Sequence, residues 1–208
     1  MISKLQYITG EVEGFSHPGL VFEACMAGCD WIQLRIKNMV EDKFINVAKQ
    51  SLEICKEFNA RLIINDNVQI AKRIGAHGVH IGKMDMDPIE ARNYLGNNFL
   101  IGCSTNTFDD IFKLKDKAID YVGLGPFRFT TTKEKLSPIL GLDGLREIMK
   151  KCKEAKITIP VVAIGGIKAE DIESILDTGI HGIAVSSAIS NADDKQKMTR
   201  EILNKVNK

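Results

Sequence analysis

Short apolar runs rich in β-branched residues alternate along this chain with longer stretches in which apolar positions recur at helical spacing. Runs at 5–9, 31–36, 61–65, 78–81, 99–103, 121–124, 159–164 and 182–185 predict eight strands. Stretches at 18–27, 41–58, 68–74, 87–94, 108–115, 141–154, 169–177 and 191–206 predict the helices between and after them. The joins repeat as well: Gly28, Gly75 and Gly179 each stand where a helix should end, a few residues before an apolar strand. Eight strand–helix units with no linker or composition break predict an α/β chain folded as a TIM (β/α)8 barrel, a single domain over 1–208. A doubly wound open sheet is the alternative. The barrel carries a forecast, because functional groups should gather at the C-terminal ends of its strands.

Polar residues do cluster at those ends. Gln33, Arg35 and Lys37 alternate with Ile32, Leu34 and Ile36, so a strand here would aim three donors at one face and apolar side chains at the other. A guanidinium fork beside an ammonium suits several phosphate oxygens; an internal salt bridge or a solvated strand end is the plainer reading. The third strand ends in Asn65-Asp66, where Asp66 is either a helix N-cap or a ligand, and Asp85 follows the fourth strand. Adjacent strands would bring Asp66 and Asp85 together, and two hard oxygen donors beside an anion clamp suit Mg²⁺ shared with a diphosphate. The loop from Gly125-Pro126 to Lys133 is a candidate lid whose Thr130, Thr132 and Lys133 offer donors to an anion. Gly165-Gly166 and Ser186-Ser187 end the last two strands with small residues, the place where barrels commonly hold a phosphate.

Composition limits what else the chain could be. Its 208 residues are 44% hydrophobic and 26% charged with a formal net charge of +1, enough for a substantial core but no general attraction to nucleic acid or an anionic membrane. No apolar run approaches a membrane span and no secretory segment leads the sequence, so a cytoplasmic protein is expected. The five cysteines are odd in number and scattered, which reads as reduced thiols; Cys25 and Cys29, one helical turn apart, read as packing before metal binding. His77 and His181 sit at helix-to-strand joins and should cap or pack. His80 lies in a strand and points either into the barrel or towards its helices, and His17 is a loop residue with no supporting partner in the sequence. A zinc site is not indicated.

In order and barrel placement, the motifs Gln33-x-Arg35-x-Lys37, Asn65-Asp66, His80-Ile81-Gly82-x-x-Asp85, Gly102-x-Ser104, Gly123-x-Gly125-Pro126, Thr130-x-Thr132-Lys133, Gly165-Gly166-Ile167 and Val185-Ser186-Ser187-Ala188-Ile189 resemble the thiamine phosphate synthase family, also called thiamine phosphate pyrophosphorylase. The resemblance covers nearly the whole chain. It implies joining of 4-amino-2-methyl-5-hydroxymethylpyrimidine diphosphate to 4-methyl-5-hydroxyethylthiazole phosphate, with Mg²⁺ as cofactor and diphosphate as leaving group. It further implies that Gln33, Arg35, Lys37, Asn65, Ser104 and Lys133 contact the pyrimidine diphosphate, that Asp66 and Asp85 hold the metal, and that Thr130, Thr132, Gly166, Ser186 and Ser187 receive the thiazole phosphate. Arg35, Lys37, Ser104 and Lys133 are then the catalytic set, with Ser104 a positioning group and not an acylated nucleophile. The implied partners are these two substrates, with self-association, a dimer first, left open.

Three departures from the family pattern stand out. Ile36 replaces a frequent acid, Lys83 a frequent Gln, and Arg128-Phe129 an aromatic-Pro pair; the charge of Lys83 or Arg128 would either tighten anion binding or sit in solvent. A thiazole tautomerase of the same superfamily and a non-catalytic thiamine-phosphate-binding barrel are the competing functions. Arg35, Lys37, Asp66 and Asp85 together argue against the tautomerase.

Overall fold

A computed structural model describes residues 2–129 and 138–208. All eight predicted strands form: β1 (Leu5–Ile8), β2 (Trp31–Leu34), β3 (Arg61–Asn65), β4 (Gly78–Ile81), β5 (Leu100–Thr105), β6 (Tyr121–Leu124), β7 (Val161–Ile164) and β8 (Gly182–Val185). Each pairs in parallel with its sequence neighbours, and β8 pairs with β1, closing the barrel. The open-sheet alternative is thereby excluded. Two bounds differ in ways that matter: β2 stops at Leu34, leaving Arg35 and Lys37 beyond the ladder, and β5 runs on to Thr105, taking Ser104 into it.

Alternation along the strands separates two apolar layers. Tyr7, Ile32, Leu34, Leu62, Ile64, Val79, Ile101, Val122 and Ile183 pack against the helices, while Ile8, Trp31, Ile63, Tyr121, Val162 and Ala184 form the separate cluster inside the barrel. Gln6, Gln33 and His80 are buried with them. Gly102 makes room for the Tyr121 ring, because a Cβ there would lie 2.1 Å from it. That ring stands edge-on to Trp31, with centroids 4.8 Å apart.

The helices are α1 (His17–Met26), α2 (Glu41–Glu57), α3 (Val68–Ile74), α4 (Pro88–Leu95), α5 (Phe108–Leu114), α6 (Gly141–Glu154), α7 (Ile172–Leu176), α8 (Ser187–Ser190) and α9 (Lys195–Val206), with a 3-10 turn at Ala169–Asp171. Local chemistry explains their starts. Ser16, Asn67, Asp87, Thr107 and Asp194 each accept a backbone N–H of the first turn of α1, α3, α4, α5 and α9. The stretch predicted as one helix over 191–206 begins later, because Asp194 caps α9, and the short α8 occupies the turn directly after β8.

At the N-terminal face of the barrel, His77 Nδ1 accepts from Leu62 N at 3.0 Å and His181 Nε2 lies 2.8 Å from Ile2 O. Both histidines satisfy backbone groups, as their positions at the joins predict. Cys25, Cys29, Cys55, Cys103 and Cys152 are all buried free thiols. No helix among the described residues is long and apolar enough to cross a membrane.

Candidate active site

A cavity of about 400 Å³ opens at the C-terminal ends of the strands. Gln33, Arg35, Asn65, Asp66, Asp85 and Ser104 line it from β2 to β5, and Gly166, Ser186 and Ser187 from β7 and β8. Thus nine of the predicted site residues converge on one space. Lys37 does not line it: it is exposed in the loop after β2. Thr130, Thr132 and Lys133 lie outside the described residues.

The first wall is charged. Asp66 has a left-handed φ of 62° and donates its N–H to His80 O at 2.8 Å, while Asn67, not Asp66, caps α3. The Asp66 side chain is therefore released from the capping duty that the sequence allowed. Asp85 bends back so that its Oδ2 accepts from Gly82 N at 2.7 Å. Asp66 is exposed to the cavity, yet the protein crowded around its carboxyl and the facing Asp85 push its pKa up to about 6. The Arg35 guanidinium and the Asn65 side chain pull the other way.

Arg35 is anchored through its backbone. Its N–H donates to Thr9 Oγ1 at 3.1 Å, and the same hydroxyl meets His17 Nδ1 at 3.1 Å. His17 Nε2 lies 3.1 Å from Glu11 Oε1. His17 is thus buried and partnered at the start of α1, which corrects the view of it as an unsupported loop residue.

The second wall is mostly backbone. Gly165 and Gly166 have φ of 102° and 66°, and a Cβ on Gly165 would come within 2.8 Å of Pro126. The segment after β6 lies directly against this pair: Phe127 N donates to Ile164 O and Arg128 N to Gly165 O, both at 2.9 Å. Arg128 then reaches across. Its Nη1 donates to Gly166 O at 2.9 Å, and its guanidinium grips both oxygens of Asp171 at 2.8 Å. Arg128 is therefore held by Asp171 while still 43% exposed, and ties the β6 loop to the glycine turn. Lys83 is similarly engaged, with Nζ 2.6 Å from Asp110 Oδ2, the carboxylate that also caps α5.

The floor holds a chain of hydrogen bonds that sequence reading missed. Gln33 Nε2 donates to Gln6 Oε1 at 3.0 Å, and Gln6 Nε2 donates to the Tyr121 hydroxyl at 3.1 Å. That oxygen lies 3.1 Å from His80 Nδ1, and His80 Nε2 lies 3.0 Å from Ser104 Oγ. His80 points into the barrel. A signal was present in the strand period: Gln6, Gln33, His80 and Ser104 stand at inward positions, where a buried polar group needs a partner.

Comparison with known proteins agrees with the motifs. The thiamine monophosphate synthase family matches residues 5–189. The chain belongs to this family. It is 47% identical over 200 residues to a thiamine-phosphate synthase of Bacteroides thetaiotaomicron, covering 96% of each chain. It is 46% identical over 206 residues to one of Flavobacterium johnsoniae, covering 99% of this chain and 97% of the relative. The solved structure of a thiamine phosphate pyrophosphorylase from Pyrococcus furiosus superposes with a TM-score of 0.85 at 33% identity, over 98% of this chain and 95% of that one. As a member of the family the chain is an enzyme, a transferase of thiamine biosynthesis that makes thiamine phosphate.

Proposed function

We propose that the cavity transfers the 4-amino-2-methylpyrimidin-5-ylmethyl group from its diphosphate to 4-methyl-5-hydroxyethylthiazole phosphate, with Mg²⁺ held by Asp66 and Asp85. The observation that carries this reading is the meeting of Asp66, Asp85 and Arg35 on one wall of a cavity whose opposite wall is glycine and serine. Two carboxylates close enough to raise the pKa of one of them are short of a cation. Among the described residues no third His, Cys, Asp or Glu joins them into a metal-binding group. Such a donor set fits Mg²⁺, which takes one or two carboxylates and completes its shell with water and substrate phosphate.

Asp66 and Asp85 would hold Mg²⁺ there, and the ion would supply positive charge to the diphosphate leaving group. Arg35 brings a fixed positive charge to the same oxygens, and Lys37 and Lys133 would add theirs. Asn65 and Gln33 orient the aminopyrimidine, and Ser104 donates a hydrogen bond to the leaving group. Cleavage leads, leaving a pyrimidine-methyl cation stabilised by the ring amine, and the thiazole nitrogen then captures it. Gly166, Ser186 and Ser187, with Thr130 and Thr132, hold the thiazole phosphate so that the nitrogen meets the cation before water does.

Incubation with both substrates and Mg²⁺ should yield equal amounts of thiamine phosphate and diphosphate, and chelation should stop it. Tautomerised thiazole phosphate as sole product, or binding of both substrates without turnover, would overturn the proposal. The order of bond changes has its own test. An electron-withdrawing group on the pyrimidine should slow single turnover by orders of magnitude, whereas an unchanged rate would rule out leading C–O cleavage.

A further inference from the structure

We infer that the buried chain from Gln33 through Gln6 and Tyr121 holds His80 in its Nε2–H tautomer, so that the Ser104 hydroxyl keeps its own hydrogen for the cavity. His80 and Tyr121 are then positioning residues that act through Ser104. This rests on the proposal that Ser104 meets the diphosphate.

Donor counting sets the direction. Gln33 Nε2 donates to Gln6 Oε1 at 3.0 Å, which turns the other end of the Gln6 amide, a pure donor, to the Tyr121 oxygen at 3.1 Å. The Tyr121 oxygen accepts from Gln6 and has one proton of its own to place. Tyr121 is fully buried, and burial pushes its pKa well above the usual phenol value, so it remains a donor. The acceptor in reach is His80 Nδ1 at 3.1 Å. An Nδ1–H would instead give the phenol oxygen a second donor and strand its proton in the barrel interior. With Nδ1 accepting, the neutral imidazole carries its proton on Nε2, 3.0 Å from Ser104 Oγ. Ser104 accepts that bond.

The consequence is a donor aimed before the substrate arrives. Ser104 lines the cavity, and with one lone pair held by His80 its O–H is left to point at an anion instead of turning back to the imidazole. The reverse order, with Ser104 donating to His80, would present only lone pairs to a diphosphate and repel it. Strand register brings the partners together: His80 pairs with Gly102, Ser104 stands two residues further along the same face, and the missing side chain at Gly102 admits the Tyr121 ring.

Nitrogen-15 NMR of histidine-labelled full-length protein reads the tautomer directly, with His80 assigned from a His80→Asn sample. The expected spectrum has Nε2 protonated and Nδ1 bare; a protonated Nδ1 would overturn the inference without any variant. Tyr121→Phe keeps the ring against Trp31 and removes the hydroxyl, so it should erase the tautomer preference. It should also lower kcat/KM for the pyrimidine diphosphate by about tenfold, the scale of one misdirected hydrogen bond to a charged group. In a Ser104→Ala background Tyr121→Phe should cost nothing further. Losses that multiply would show a packing effect and sink the relay. Full activity in Ser104→Ala would overturn both the diphosphate contact and the relay's purpose, and the tautomer spectrum separates that failure from a wrong hydrogen-bond order.

Discussion

The wall at the ends of β2 to β4 is made of charged side chains that strain against one another, whereas the wall at the ends of β7 and β8 is mostly backbone whose glycine carbonyls are held by Arg128. Burial of its carboxyl first, and the facing Asp85 second, push the Asp66 pKa up to about 6, with Arg35 pulling the other way. Gly165 and Gly166 instead sit in left-handed turns braced by Phe127, Arg128 and Asp171. The two walls suit different tasks. A site for a metal and a leaving group profits from charge that is uncompensated until the ligands come, while a site that only holds a phosphate profits from fixed dipoles.

Neutralising the charged wall should have the largest effect. Asp66→Asn or Asp85→Asn should lower kcat by about a hundredfold or more and raise the Mg²⁺ concentration needed for half activity, with little change in melting temperature. Ordinary Mg²⁺-dependent rates in both variants would remove the metal from this wall.

On the other wall, Gly166→Ala forces a Cβ to within 2.9 Å of Phe129 O in a residue whose φ is 66°. It should raise KM for the thiazole phosphate by about tenfold and destabilise the fold by about 1–2 kcal/mol, with KM for the pyrimidine diphosphate nearly unmoved. Equal effects on the two substrates would show that the walls do not divide the substrates.

A third outcome concerns pH. Asp66 titrates at about 6 in the folded, metal-free chain against 3.8 ordinarily, so the folded state holds that proton more tightly than the unfolded one. Its contribution to stability is therefore full below the ordinary value and is lost as pH rises through about 6. If Asp66 holds Mg²⁺ as proposed, Mg²⁺ affinity should run the other way and weaken as pH falls through the same range, because the metal needs the carboxylate. Melting curves of chelated protein should show wild type losing ground to Asp66→Asn between those two pH values; a constant difference would mean that neither burial nor the facing Asp85 raises the Asp66 pKa.

The smallest effect should come from the brace. Arg128 is 43% exposed and Asp171 12%, so Arg128→Ala should cost under about 1 kcal/mol of stability. A rise of a few-fold in thiazole phosphate KM, measured at saturating pyrimidine diphosphate, would mark the brace as shaping the glycine wall; no rise would leave it a surface tie.

Much of the fold was legible because strand and helix periods and the repeated glycine joins are local signals. The barrel followed from eight units without a break. Strand ends were less legible: Arg35 and Lys37 share a sequence alternation with Gln33, but the ladder stops at Leu34, so Gln33 goes to the floor, Arg35 to the wall and Lys37 to the exposed loop. The site motifs pointed to the cavity that forms, and Arg128 shows where they fell short. Its charge is plain in the sequence, but its partner Asp171 lies 43 positions away, and nothing local predicts that the two meet.

The barrel, the ends at which chemistry gathers and the family could all be read from the chain, since each rests on short local patterns repeated in order along it. Which inward polar groups touch was fixed by closure of the barrel: Gln6 and Tyr121, 115 positions apart, meet over His80, and Asn67 frees Asp66 to face Asp85. Hydrogen bonds and charge repulsion act over a few ångströms, and those separations exist only once the barrel has closed.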